Sequence, residues 1–267
     1  MKNITIGIIG GTNGMGRWFS ELLGAQGFMV HVTGRKTQMT SQDVATCCDV
    51  VVVSVPIAAT AGVIAEVGPL LKKDQLLMDL TSLKKEPVAL MLASSEADVV
   101  GCHPLFGPSV VEAAGHNVVL CRGRGDVWYD WIKNIFKKTG YTLLERTPDE
   151  HDRMMAIVQA LNHLNTITLG MAIAETGIPL TEVNQFSTPI FKSKMDLVKK
   201  IFTESPELYA DIIAGNPNID DVLHTYERVA RDIRRLITAN DGRKLKDAMD
   251  ITAKRLFNVQ GSTLTKP

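Results

Sequence analysis

The sequence predicts an α/β fold: a Rossmann-like, doubly wound parallel sheet in the N-terminal half, followed by an all-helical C-terminal domain. Short apolar runs rich in Ile and Val recur up to residue 121, several of them without alternation, as in strands buried on both faces. Helical stretches fall between some of these runs, and strand–helix alternation argues for a parallel sheet. After "RTPDEHD" (146 to 152) no strand-like run follows. The expected domains are therefore a dinucleotide-binding domain over 1–148 and a helical domain over 149–267.

Taken in order, the strand candidates are "ITIGII" (4 to 9), "FMVHVT" (28 to 33), "VVVVSV" (50 to 55), "LLMDL" (76 to 80), "DVVGC" (98 to 102) and "NVVLC" (117 to 121). Helices are expected over "GRWFSELLGAQG" (16 to 27) and "IAATAGVIAEVGPLL" (57 to 71). Residues 151 to 175 run without Pro and are apolar nearly all round, which reads as a buried helix ended near Gly177 and Pro179. A later helix is expected to open at Asn216 as cap, with Pro217 at its first helical position and a stripe from Ile219 to Ile237.

Composition narrows the function. At 45% apolar and 22% charged the chain is of globular type, and 29 basic residues balance 29 acidic ones. Nothing marks a polyanion-binding or membrane-surface protein, so no nucleic-acid or membrane partner is expected and any anionic ligand must meet local charges. Cys47, Cys48, Cys102 and Cys121 include no C-x-x-C, so neither a metal site nor a disulfide framework is readable, which favours a reducing compartment. The opening "MKNITIGIIGG" has too few apolar residues before its glycines for a signal-peptide core. The expectation is a cytoplasmic protein.

"IGIIGGTNGMG" follows a strand and opens a helix, the context in which a glycine-rich match carries weight. Aligned on Gly11 and Gly16, Thr12 and Asn13 complete the turn, with Asn13 where the second fingerprint glycine sits. Asn tolerates a left-handed backbone better than other non-glycine residues, and Gly14 allows a shifted alignment. At the end of the second strand an NAD site carries an acid for the ribose hydroxyls, whereas here Thr33, Gly34, Arg35 and Lys36 stand in that place. Two cations and a hydroxyl suit a 2′-phosphate, so NADP is expected over NAD. Ser54, at the end of the third strand, is also placed at the cofactor.

Two segments belong with the histidine loop "GCHPLFGP": "DLTSLKKEP" at a strand end and "HDRMMAIVQALNH" on the first helix of the second domain. Together with "GGTNGMGRWF" and "SPELYADII", in this order, they make the sequence resemble the prephenate dehydrogenase family. "TSLKKEP" and "QALNH" look most like the dehydrogenase domain of the bifunctional chorismate mutase and prephenate dehydrogenase enzymes. The resemblance implies oxidative decarboxylation of prephenate, or its aminated relative arogenate, with hydride transfer to a nicotinamide dinucleotide in tyrosine biosynthesis, by a homodimer paired through its helical domain.

By that resemblance His103 matches the catalytic histidine, Ser82 the serine near it and Lys84 a lysine of the same site. A neutral imidazole takes the proton of the carbinol hydroxyl, Ser82 is assigned to hold the imidazole tautomer or bond the nicotinamide amide, and Lys84 supplies charge for a carboxylate. The resemblance also places Gln159 and His163 at the substrate, and Lys200 where the family has a carboxylate-binding arginine. Helical phase puts His151 and Asn162 about 20° apart, with Gln159 and His163 displaced by about 80° and 120°, so the four do not share one face of a regular helix. His151 and Asp152 read equally well as a stabilised helix start. The alternatives are a β-hydroxyacid-type NADP dehydrogenase acting on another small carboxylate, in which the histidine loop has no place, and a non-catalytic NADP-sensing module, which leaves Ser82, Lys84 and His103 unexplained.

Overall fold

A computed structural model describes residues 4–110 and 112–257 of the chain. Its N-terminal half alternates strands and helices: β1 (Thr5–Ile9), α1 (Gly14–Ala25), β2 (Met29–Thr33), α2 (Ser41–Cys47), β3 (Val50–Val53), α3 (Ile57–Val67), β4 (Leu76–Asp79), α4 (Lys85–Ser94), β5 (Asp98–Pro104), β6 (Asn117–Arg124), α5 (Val127–Lys138) and β7 (Thr142–Glu145). The seven strands form one sheet in the order β2-β1-β3-β4-β5-β6-β7. β1 to β5 run parallel, as expected. β6 departs from the expected all-parallel sheet by pairing antiparallel to β5, with β7 parallel to β6. Among the described residues no helix separates β5 from β6, and without a crossover helix the chain returns in the opposite direction.

Side-chain parity along the strands sorts the core into two layers. Ile6, Ile8, Val50, Val52, Leu76 and Met78 face one side, against Phe19 and Leu23 of α1 and Tyr129, Ile132 and Phe136 of α5. Val51, Val53, Leu77 and Val99 face the other, against Val44 of α2, Ile64 and Val67 of α3 and Met91 of α4. A sheet covered on both faces explains the unbroken apolar runs. β4 and β5 carry Asp79 and His103 in the same parity as Leu77 and Val99, which directs both toward the α4 layer.

The chain continues with α6 (Pro148–Met155), a π-helical stretch (Ala156–Leu161), α7 (Asn162–Glu175), α8 (Leu180–Val183), α9 (Pro189–Thr203) and α10 (Pro206–Ala214). α6 starts on a capping box in which Thr147 and Glu150 bond each other's backbone amides, with Pro148 in the first turn. The helix expected to be buried over 151–175 is instead interrupted by the π stretch and partly bare: Met154, Ile157, Val158 and Met171 are 49 to 57% exposed. Its inner side packs on neighbouring elements, and the remaining apolar sides exceed what this chain covers.

Residues through Ile219 form one compact unit and those from Asp220 a second. The second holds nearly all of α11 (Ile219–Thr238) and α12 (Gly242–Phe257). α11 begins two residues after the expected Pro217, because the Asn216 side chain accepts from the Asn218 amide in a turn just before the helix. The apolar stripe of α11 has no buried residue. Among the described residues no helix is long and apolar enough to cross a membrane.

Candidate active site

Register brings the ends of four strands to one edge. Ile9 pairs with Val53, Val53 with Asp79, and Asp79 with Gly101, so the residues following each lie along the same carboxyl edge of the parallel strands. That edge holds the glycine turn, Ser54, the Thr81–Ser82 segment and His103. β1 and β3 are neighbours from which the chain winds in opposite directions, the switch point where α/β sheets open a ligand crevice.

The glycine turn is backbone against backbone. Gly10 has φ +83°, and a Cβ there would lie 2.1 Å from the Ser54 carbonyl oxygen. A Cβ on Gly16 would lie 2.6 Å from the Gly10 carbonyl oxygen, so α1 packs directly on the turn. Asn13 does not take the left-handed conformation expected of it: its φ of −144° is extended, and Gly14, at φ +55°, takes that place. A Cβ on Gly14 would meet nothing within 4 Å, and Thr12, Asn13 and Gly14 are exposed, so the turn offers open amides at the start of α1. The Thr33 carbonyl accepts from the amides of Gly10 and Gly11 at 2.9 and 3.1 Å, which ties the turn to the end of β2. There Gly34 and Thr37 close a tight turn, with Arg35 and Lys36 exposed at its tip and without a side-chain partner among the described residues. Ser54 contributes through its backbone, its amide donating to Ile9 at 2.8 Å.

At the other end of the edge a buried polar chain is assembled. His103, 3% exposed, meets His151 of α6 with Nδ1 2.8 Å from Nε2, and His151 Nδ1 lies 2.7 Å from Asp152 Oδ1. Asp152 also accepts from the Lys84 and Lys85 amides, both at 2.9 Å, at the start of α4. It therefore serves the N-terminus of α4 and not that of its own helix. Asn216 fixes the Asp152 backbone by donating to its carbonyl at 2.9 Å.

Protonation follows from this chain. Burial pushes the Asp152 carboxyl up, but the His151 ring and the Lys85 and Lys84 amides more than offset this and leave it below the usual carboxylate range. Burial, then the His151 and Lys84 charges, hold His103 well below the ordinary imidazole value, and burial leads in lowering His151 as well. Both rings are thus neutral near pH 7. Asp152 can only accept, so His151 carries its proton on Nδ1 and offers a lone pair at Nε2. The hydrogen between the rings then sits on His103 Nδ1, which leaves a lone pair on His103 Nε2.

Gln159 Nε2 lies 3.5 Å from that nitrogen. A regular helix would carry Gln159 away from His151, but residues in a π turn advance by less than the α-helical angle, so the side chain falls back toward His103. Gln159 Oε1 is buried without a partner among the described residues.

The other expected residues are placed as follows. Lys84 is fully buried, its Nζ paired with Asp79 and 3.3 Å from Thr81 Oγ1, and its stem crosses Gly101. Ser82 is half-buried on the shared edge and forms no side-chain hydrogen bond among the described residues, and it is His151, not Ser82, that holds the His103 tautomer. His163 packs against Tyr209 of α10 with centroids 4.8 Å apart. Lys200 is exposed in the last turn of α9, without a side-chain partner among the described residues. The structure thus brings together His103, Gln159 and the Lys84 segment, and links neither His163 nor Lys200 to them by a hydrogen bond. Asp79, Thr81 and Asp152 had no assigned role here in the sequence reading. Asp79 stood in "DLTSLKKEP", where an acid ending a buried strand beside a buried lysine signals an ion pair.

A glycine turn at the switch point, with a helical region behind the strand edge, defines a dinucleotide-binding α/β protein. Comparison with known proteins narrows the class. The nucleotide-binding domain of prephenate dehydrogenase matches residues 26–145, and the prephenate dehydrogenase dimerization domain matches 147–251. A probable arogenate/prephenate dehydrogenase of Methanocaldococcus jannaschii is 34% identical over 271 residues, covering 94% of this chain and 61% of the relative. The T-protein of Enterobacter agglomerans is 35% identical over 227 residues, covering 85% and 61%. The crystal structure of Aquifex aeolicus prephenate dehydrogenase, in complex with hydroxyphenyl propionate and NAD+, superposes with a TM-score of 0.77 at 18% identity, covering 96% of this chain and 98% of that one, and so shares the fold. The chain belongs to the prephenate dehydrogenase family. It spans about three-fifths of the length of the two relatives named.

Proposed function

We propose that this chain oxidises prephenate or arogenate with loss of carbon dioxide, passing hydride to NADP, as a step of tyrosine biosynthesis. Family membership supports the reaction class, and one observation carries the chemistry: the hydrogen-bond chain from Asp152 through His151 leaves a basic lone pair on His103 Nε2, on the strand edge that holds the glycine turn.

The residues fit a dinucleotide. The cradle at Gly10, Gly11 and Gly16 has no room for a Cβ, while Gly14 opens outward, as close approach of a pyrophosphate to backbone amides requires. Thr12 and Asn13 flank that opening. The Gly34 turn stands next to Thr12, since a Cβ on Gly34 would lie 2.9 Å from Thr12 Oγ1. Arg35 and Lys36 at its tip, with no ion-pair partner among the described residues, favour a 2′-phosphate and hence NADP. When bound, the nicotinamide supplies the hydride acceptor.

His103 Nε2 accepts the hydroxyl proton as the carbinol carbon is oxidised. Loss of the ring carboxylate aromatises the ring, and the oxygen recovers its proton. Gln159, with a free buried acceptor, borders the base and suits a substrate hydrogen. Ser82 on the same edge, and His163 and Lys200 on the helical side, are the further candidates for substrate contact. Lys84 acts from beneath, holding Asp79 and the segment that presents Ser82. The exposed apolar sides of α6 and α7 and the dimerization-domain match support a homodimer formed through the helical region. The four free thiols suit a reducing cytoplasm.

The test is formation of reduced cofactor by the purified protein, with prephenate and arogenate each crossed against NADP and NAD. Turnover is expected with NADP and at least one substrate. Silence of all four pairs, with dinucleotide still bound, overturns the proposal.

A further inference from the structure

Two buried neutral imidazoles in direct contact exceed what orientation of a base requires, since a backbone carbonyl would fix one tautomer as well. The groups facing the pair decide where a positive charge can rest. His103, on β5, has Gln159 at Nε2, His151 at Nδ1 and the Lys84 ammonium on its α4 side, with Asp79 committed to that ammonium. Among the described residues no carboxylate is hydrogen-bonded to it. His151 has the Asp152 carboxylate at 2.7 Å. A proton taken up by the pair is therefore far better accommodated on His151 than on His103.

We propose that His151 is the resting place of the proton during the reaction: His103 receives a proton at Nε2 and passes its Nδ1 proton to His151, so the charge sits against Asp152 while His103 stays neutral. This rests on the proposed oxidation with a nicotinamide dinucleotide as oxidant. The substrate O–H bond breaks and His103 Nε2–H forms. His103 Nδ1–H breaks and His151 Nε2–H forms, while Nδ1–H of His151 remains bonded to Asp152. The oxygen's electron pair becomes the C=O bond as hydride leaves the carbon. When the ring carboxylate departs as carbon dioxide, its bonding pair aromatises the ring and the oxygen takes back its proton, reversing both transfers. No proton is gained or lost overall, so the relay needs no route to solvent, in keeping with two rings at 3% and 1% exposure. His151 and Asp152 are positioning residues that act through His103.

Nitrogen NMR of histidine-labelled protein without substrate tests the relay apart from turnover, with His103→Asn and His151→Gln assigning the signals. Both rings are expected as Nδ1–H tautomers at neutral pH, with His151 doubly protonated before His103 on acidification. His103 charging first, or appearing as the Nε2–H tautomer, overturns the relay. Should this order hold while the wild type reduces no cofactor, the protonation order of the pair stands, and the oxidation reading fails together with the relay's part in it.

In the turnover arm, Gln at 151 can accept from His103 Nδ1–H and so orient the ring, but it cannot take the proton. His151→Gln is expected to lose about 100-fold in kcat, with KM and dinucleotide affinity unchanged and a curved solvent-deuterium proton inventory made linear. Wild-type kcat in that variant overturns the relay. A variant that does not fold leaves the native titration to decide.

Discussion

As the proposed base, His103 would act when neutral, and its environment keeps it neutral below the ordinary imidazole value of 6.5. The acid limb of kcat/KM is accordingly expected below pH 6.5, and His103→Asn is expected to fold and bind dinucleotide while losing about 10²–10⁴-fold in turnover. The same depression has a stability counterpart. His103, His151 and His163 bind protons less readily folded than unfolded, so their contribution is complete above about pH 6.5 and declines as pH falls through that value toward their folded pKa values. Thermal unfolding between pH 7 and 5 should show this loss, and His103→Asn should flatten it. The buried Lys84–Asp79 pair makes a further prediction at this scale. Lys84→Met leaves an uncompensated buried carboxylate and should cost about 3–5 kcal/mol, whereas Lys84→Met with Asp79→Leu should recover most of that in denaturant titrations. Equal instability of the single and double variants would count against the pair as the reason for Lys84.

The first turn of α1 is bound to the glycine loop so tightly that Gly16→Ala has nowhere to relax, because the atom it meets is a backbone oxygen. About 1–3 kcal/mol of stability should be lost, with weaker dinucleotide binding in equilibrium titration. At this scale the sequence was legible where a pattern is local. The unbroken apolar runs of β1, β3 and β4 are those of strands covered on both faces, and the glycine turn sits where its context placed it. β7, the short edge strand "TLLE", has only a Leu pair to announce it, and α2, α4 and α5 were left unassigned between the strands. The π stretch was the costliest omission, since no residue type in "AIVQAL" signals it and a regular helical phase separates Gln159 from His151. The antiparallel β6 was invisible for a different reason: strand direction depends on the connection, not on the strand's own residues. Asp79 and Asp152 were in view as letters, but the lysine paired with Asp79 lies 5 residues away in the chain and the Lys84 amide that donates to Asp152 lies 68 away.

For the molecule as a whole, the exposed apolar surface includes sides of the 151–175 helix that sequence reasoning took as buried. Met171, Phe186, Ile190 and Leu197 are each more than half exposed, Phe186 by 82%, on segments matched by the family's dimerization domain. Sedimentation should return twice the 29.2 kDa chain mass. Charged replacements at Phe186 and Ile190 together should shift it toward the single-chain value, and a monomeric wild type would refute the assignment. One contact described above also bears on assembly. Asp152 seats the start of α4 and, with the same oxygen that accepts from the Lys84 amide, holds the proton that sets both imidazoles. On the proposed chemistry, fold and reactivity are interlocked through one atom: a chain whose α6 has not docked on α4 would have no armed base. Such a chain is expected to be silent and not a careless catalyst.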